Sequence, residues 1–459
     1  MRGKQPTGAS GEGIPETIGW SGGAADWRHP HPAPQDRRRF VHALALAGSA
    51  TLTGPAPVRH LRPLLARVAH ASPDATADDE AFWLGVRQAF TIDANQVNLN
   101  SGSVSPAPRV VAEAMDRYWT LTNMSPSLYV DELLYPEVEL VRQRLAAEFG
   151  CDPEELALTR NTSESLLTVQ FGMPLARGDE VVITTQDYPR MITGWEQRAR
   201  RDGIVLKTVT IPTPAPSPAA LAERVWGAVT PRTRVLHVSH MTYTAGQIFP
   251  VRELAERARA RGIWSVVDGG HTFAQFPFTW RELGCDVYGT SLHKWLTAPV
   301  GNGFLAVRRE RIPEIWPLFA APASQDADIR KFEQIGTYPI ALRTAVTDAL
   351  TFHQALGAER KAARFRFLRE RWMRGIEGVK GVRLLTSYDP AQACALGAFA
   401  LEGMGAAAVT EALLRRDRIH VRPRFVPGEW EGVRVTPNVF TTVEEVDRLV
   451  AAVRRLAAG

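Results

Sequence analysis

The sequence predicts an α/β fold: a mostly parallel seven-stranded sheet with helices on both faces, followed by a smaller C-terminal α+β domain. Three observations predict it. From residue 156 short β-branched or aliphatic runs alternate with helical periods. After about residue 338 that alternation gives way to a long helical stretch and then to shorter apolar runs. Polar residues of unusual type stand just after several runs, where open α/β sheets collect their ligands.

Taken in order, residues 1 to about 36 are rich in Gly, Pro, Ser and Ala, and such a segment buries too little apolar surface to offset the entropy of ordering. Arg37-Arg38-Arg39 then feeds a short apolar run from His42 to Ala50. That order is similar to a twin-arginine export signal and predicts an exported or periplasmic protein, with Ala69-His70-Ala71 as the small-residue cleavage pattern. The alternative is an Arg-rich tail on a cytoplasmic protein. The run is too short and too interrupted to span a membrane, so no stable membrane insertion is expected. The organisation read from these shifts is a tail over 1–75, an N-terminal segment over 76–115, a large domain over 116–338 and a small domain over 339–459.

The strand candidates are 156–159, 181–185, 205–211, 235–239, 264–268, 287–290 and 304–307. Interleaved with helices, they imply parallel strands covered on both faces. One crossover helix is well marked: Pro250 suits its first turn, Val251, Leu254, Ala255 and Ala258 form one stripe, and Gly262 suits a left-handed stop. Beyond 338 come a helical stretch over 340–376, runs at 397–401, 419–422 and 433–435, and a closing helix over 443–457.

Hydrophobic residues at 45% and charged residues at 22% place the chain among globular proteins, excluding wholesale disorder and a polytopic membrane protein. The net charge of +5 comes from scattered arginines and the basic N-terminus, so no nucleic-acid partner is expected. Cys151, Cys285 and Cys394 lie far apart without C-x-x-C spacing, which indicates neither a metal site nor a disulfide framework.

The sharpest chemical signal is Ser291-Leu292-His293-Lys294-Trp295, directly after an apolar strand. An amine there can meet an aldehyde and form an imine. A lysine alone is as a rule a solvated surface side chain; its company reverses that. The strand over 264–268 ends in Asp268-Gly269-Gly270-His271. A carboxylate in that place can keep a pyridine nitrogen protonated, and two glycines remove bulk where a flat ring would approach the backbone. Taken alone, Asp268 could equally be a turn cap. Further upstream, Thr159-Arg160-Asn161-Thr162-Ser163-Glu164 follows a strand and opens a helix, presenting N–H groups and two hydroxyls to a phosphate dianion. Without the rest of the pattern, an ordinary N-cap would explain it as well.

Asp268-Gly-Gly-His271 followed by Ser291-Leu-His-Lys294 resembles the class V aminotransferase family, the group that includes cysteine desulfurases, isopenicillin N epimerase and kynureninase. The likeness runs from Asn98 to the C-terminus and implies fold type I with pyridoxal 5′-phosphate as cofactor. It assigns Lys294 the Schiff-base role, Asp268 the pyridine nitrogen and His271 the phenolic oxygen. Ser291, His293, Thr162 and Ser163 go to the phosphate. Tyr188, after Asp187, falls where the family stacks an aromatic or imidazole group on the ring, a buried structural Tyr being the alternative. The stretch from Ser239 to Gly246 lacks the family's common Asn and receives no assignment. Gly336-Thr337, preceded by Glu333, resembles the segment that reaches the other subunit's phosphate, so a homodimer with shared sites is implied. Arg434 matches the family's carboxylate-binding arginine, whose planar fork grips a substrate carboxylate, and Asn100 is expected to touch the same group.

The implied substrate is a small amino acid or oxo acid. Transamination needs only Lys294 to move a proton and ranks first. Epimerisation of the isopenicillin N epimerase kind, or C–S bond cleavage, ranks next. Desulfuration by a loop thiol is disfavoured, because 419–432 contains no cysteine and Cys394 lies well upstream of Arg434. A non-catalytic cofactor-binding protein, such as a regulator's sensor domain, would carry a helix-turn-helix segment that this N-terminus does not resemble.

Overall fold

A computed structural model describes residues 61–459; Arg37, Arg38, Arg39 and the apolar run after them lie outside the described residues. The large sheet is built from β1 Leu156–Thr159, β2 Glu180–Thr184, β3 Val205–Val209, β4 Thr233–Ser239, β5 Trp264–Asp268, β6 Val287–Ser291 and β7 Gly303–Val307. Their spatial order is β1-β7-β6-β5-β4-β2-β3. All neighbours run parallel except β7, which is antiparallel to both β1 and β6. The physical reason is the short segment between β6 and β7, which holds no helix to carry the chain back over the sheet.

The helices covering the sheet include α1 Tyr135–Phe149, α2 Thr162–Gly172, α3 Pro189–Asp202 and α4 Val251–Arg259. Side chains alternate along each strand, so one residue in two serves each face. Leu158, Val182, Leu236, Val267 and Phe304 pack with α1 and α4, whereas Ala157, Val181, Val235, Val266 and Leu305 pack with α2 and α3. Burial on both faces is why these strands read as continuous apolar runs. The predicted stripe of α4, namely Val251, Leu254, Ala255 and Ala258, is buried throughout, and Gly262 adopts φ +65°.

The expected helix over 340–376 is divided into Ile340–Thr344, Val346–Leu356 and α5 Ala358–Ile376. The last break falls at Gly357, whose φ of +84° is open to glycine and strained for other residues. The C-terminal sheet comprises β8 Val382–Leu384, β9 Gly397–Leu401, β10 Arg422–Val426 and β11 Trp430–Val435, and α6 Val443–Ala458 closes the chain. These strands are antiparallel in the order β10-β11-β9-β8; β8 had no counterpart in the sequence reading. Leu368, Trp372, Phe399, Val433 and Leu449 form their core, joined by Val97 and Leu99 from the N-terminal segment. Val97 pairs in parallel with Ile419, and the Thr436 N–H donates to the Leu99 carbonyl at 2.8 Å. That stitch carries Asn100 to the side of Arg434. Among the described residues no helix is long and apolar enough to cross a membrane.

Candidate active site

Register decides where the chemistry gathers. Ser239 at the end of β4 pairs with Asp268 at the end of β5, and Asp268 pairs with Gly289 just before the end of β6. The three strands therefore stop along one line, and a cavity of about 390 Å³ opens beyond it. That volume suits a cofactor or small ligand. The predicted residues Thr162, Ser163, Tyr188 and Asp268 line it. So do His271, Ser291, His293, Lys294 and Arg434.

Lys294 is the amine of the cavity, with Nζ 3.3 Å from Nε2 of His271. Burial lowers its pKa to about 8, helped by the charges of Arg434 and Arg424 and opposed by Asp268. The Asp268 carboxyl is buried, and burial raises its pKa. The N–H of Gly270 nonetheless donates to its Oδ1 at 2.8 Å and favours the charged form. Burial, and then the charge of Lys294, holds His271 neutral, well below the ordinary histidine value. His293 falls to about 4 for the same first reason. Nδ1 of each histidine is buried without a protein partner among the described residues.

Thr162 opens α2, whose N-terminus is capped by the Asn161 side chain accepting from the Glu164 N–H at 2.9 Å. The Thr162 N–H donates to Ser291 Oγ at 3.0 Å and the two hydroxyls lie 2.7 Å apart. Two segments far apart in sequence thereby form one donor cluster at a helix N-terminus, a setting that favours an anion. Between this cluster, the carboxylate and the amine stands Gly270. A Cβ placed there would meet Asp268 Oδ1 at 2.9 Å, Thr162 Oγ1 at 3.0 Å and Lys294 Nζ at 3.4 Å. The absent side chain leaves a cradle whose walls are the three groups that a phosphorylated pyridine aldehyde requires, so the residues present fit pyridoxal phosphate.

At the cavity's other end Arg434 is fully buried. Its Nη2 donates to Asn100 Oδ1 at 3.0 Å and Ser103 Oγ at 2.9 Å, and its Nη1 donates to the Tyr243 carbonyl at 2.9 Å. Nε has no protein partner among the described residues.

The sequence profile described as Aminotransferase class-V matches residues 97–449. The chain belongs to the class-V aminotransferase family. Pyridoxal phosphate is the cofactor of that family, in agreement with the cradle. Among relatives, the isopenicillin N epimerase of Streptomyces clavuligerus is 32% identical over 393 residues, covering 82% of this chain and 98% of the relative. The apo cysteine desulfurase of Thermococcus onnurineus superposes with a TM-score of 0.73 at 22% identity, covering 82% of this chain and 98% of that one. A C-DES variant with glycine covalently linked to its pyridoxal phosphate gives 0.71 at 24% identity, with 81% and 98% covered.

Two further predicted residues of the class-V chain lie outside the cavity lining. Asn100 is not among the residues lining the cavity; its carbonyl oxygen accepts from Arg434, which makes it a positioning residue for that arginine. Thr337 is exposed and away from its own chain's cavity. Glu333, four residues earlier, is taken up by an ion pair with buried Arg142.

Other residues escaped sequence reasoning. Asp187 turned out to be a clasp between strands: it accepts from the Thr184 N–H at 2.7 Å and the Ser239 N–H at 2.8 Å, and burial raises its carboxyl to about 6. Tyr243 packs edge-on against Tyr188, ring centres 5.4 Å apart, and both line the cavity with Arg190, Arg422 and Arg424. The alternation Arg422-Pro423-Arg424 was a signal for two arginines on one strand face, but nothing local said which face met the cavity.

Proposed function

We propose that this chain is a pyridoxal-phosphate enzyme that acts on an α-amino acid at Cα, and that the reaction is transamination. The observation that carries the reading is that Lys294 is the one lining amine, its pKa lowered by burial to about 8, while His271 and His293 are held neutral by burial. Bound pyridoxal phosphate makes the bonds at Cα breakable by withdrawing electrons. Every other task falls to the protein. Lys294 takes the proton from Cα as general base and, as general acid, would give it up at the cofactor's aldehyde carbon instead of at Cα. Asp268, which accepts from the Gly270 N–H, keeps the pyridine nitrogen protonated; Thr162, Ser163 and Ser291 hold the phosphate; Arg434 holds the substrate carboxylate.

A second reading, epimerisation at Cα, is supported by the 32% identity with isopenicillin N epimerase across nearly that protein's whole length and by two phenols, Tyr188 and Tyr243, on the cavity wall. Burial raises the Tyr243 pKa, which keeps it a proton donor. Relatives 27% and 24% identical are described as probable cysteine desulfurases, but none of the three cysteines lines the cavity, which disfavours desulfuration through a protein thiol.

The test begins with the visible spectrum of the purified protein and borohydride reduction, which should fix the chromophore to Lys294. Amino acids are then supplied in deuterium oxide. Release of an oxo acid supports transamination; exchange at Cα with inversion and no oxo acid transfers the assignment to epimerisation. A colourless protein that takes up no pyridoxal phosphate overturns both.

A further inference from the structure

Beyond the single arginine that a monocarboxylate needs, this cavity holds a row of them. Arg422 and Arg424 alternate along β10 and so share a face, and Arg422 lies directly opposite Arg434 on β11. Nε of Arg424 and Nη1 of Arg434 reach the same Tyr243 carbonyl, at 3.3 and 2.9 Å. Two guanidinium groups crowd one oxygen, and a third sits beside them. Like charges directly opposite across a pair of strands destabilise a sheet.

No carboxylate relieves the crowding. Among the described residues none of these three arginines forms an ion pair, and Asp268 is the one acidic residue lining the cavity. Arg424 is mostly enclosed, over the Tyr243 ring at 5.3 Å, and Arg422 is exposed at the rim with Arg190. Burial and the neighbouring arginine lower Arg424 to about 10, so it remains a cation at neutral pH. Within the protein, Arg424 has carbonyl and aromatic partners and Arg434 has carbonyl and hydroxyl partners, all of them uncharged. Such an arrangement is costly in the empty protein and is stabilised by an anion brought in from solution.

We propose that the substrate carries a second anionic group on its side chain, bound by Arg424 and Arg422, while Arg434 takes the α-carboxylate. The substrate class is therefore an α-amino acid whose side chain ends in a carboxylate or comparable acid. The inference deepens the function proposed above and rests on it. The division of labour follows from depth: Arg434 is fully buried and tied by Asn100 and Ser103, which suits the end of the substrate nearest the reacting carbon. Arg424 and Arg422 lead outward along one strand face, which suits a side chain pointing to the mouth.

The experiment uses the cofactor-loaded protein and follows its visible spectrum during titration with L-glutamate, L-2-aminoadipate and the near-isosteric neutral L-glutamine. The acids should bind at least about tenfold more tightly than the amide, the size of effect expected of a charge-assisted hydrogen bond. In R424Q that acid-over-amide ratio should fall to near one, and in R422Q part of the way. A second readout is thermal: R422Q should raise the melting temperature of the unliganded protein by relieving the cross-strand repulsion, and 2-aminoadipate should stabilise the wild type more than R422Q. A coloured wild type that binds acid and amide equally would overturn this inference alone. So would an R424Q that loses the cofactor band, since the arginine would then belong to the cofactor. A colourless wild type would strike the cofactor reading underneath.

Discussion

Gly270→Ala puts the cofactor seat to a direct test. The glycine's φ lies outside the left-handed region, so alanine brings no backbone strain and its effect comes from the methyl group. That methyl would stand 2.9 Å from Asp268 Oδ1, 3.0 Å from Thr162 Oγ1 and 3.4 Å from Lys294 Nζ. In the unliganded protein the hydroxyl and the amine are ends of rotatable side chains bordering a cavity, and both can yield. With cofactor bound they are held, and the methyl competes for the same space. Overpacking by one methyl group costs about 1–3 kcal/mol. Because this falls on the bound state, the dissociation constant for pyridoxal phosphate should rise about 5- to 150-fold. Equilibrium titration of the apoprotein by visible absorbance or quenching of tryptophan fluorescence measures it, alongside apoprotein melting temperature, which should move by no more than a few degrees. A dissociation constant within twofold of wild type, or a loss of apoprotein stability equal to the loss of affinity, would refute the idea that the cradle at Gly270 is where the ring sits.

Four other outcomes follow from the geometry. Lys294 reacts with an aldehyde as the free amine, and its pKa is lowered to about 8, so the uptake rate of pyridoxal phosphate by the apoprotein should climb about tenfold between pH 7 and 9 and then level. Stopped-flow absorbance records this, and a rate still climbing at full slope above pH 10 would show an ordinary solvated lysine instead. The sign for stability runs the same way: the folded pKa is depressed, so the apoprotein loses stability as pH falls from the unfolded lysine value towards 8, and loses no more from this group below that. Arg434→Ala should raise KM for carboxylate substrates at least about tenfold with the cofactor retained, and Asn100→Ala should shift KM in the same direction by less, because Asn100 acts only by holding Arg434. Steady-state kinetics with the visible spectrum as control check both; a lost cofactor with unchanged KM would reassign the arginine.

Much of this molecule is written locally. All seven large-sheet strands and the crossover stripe of α4 are legible because pleat and helix impose periods of two and 3.6 on neighbouring residues, and burial on both faces turns strands into unbroken apolar runs. Lys294 and Asp268 are legible for a related reason: Asp268 ends one strand and Lys294 stands three residues beyond the end of another, and strand ends in such sheets are where ligands bind. The reversal of β7 has a local cause as well, since only a short segment and no crossover helix precedes it.

Tertiary structure decided the rest, and register is the reason. Whether Arg422 faces Arg434 depends on how β10 pairs with β11, and a slip of one residue would send the same side chains to the opposite face. Asn100 became the keeper of Arg434 because Leu99 and Thr436, more than 300 positions apart, share a backbone hydrogen bond. The sequence by itself determined which residues could do chemistry. Only the pairing of distant strands determined which of them meet, because hydrogen bonds between strands carry no mark in the residues that flank them.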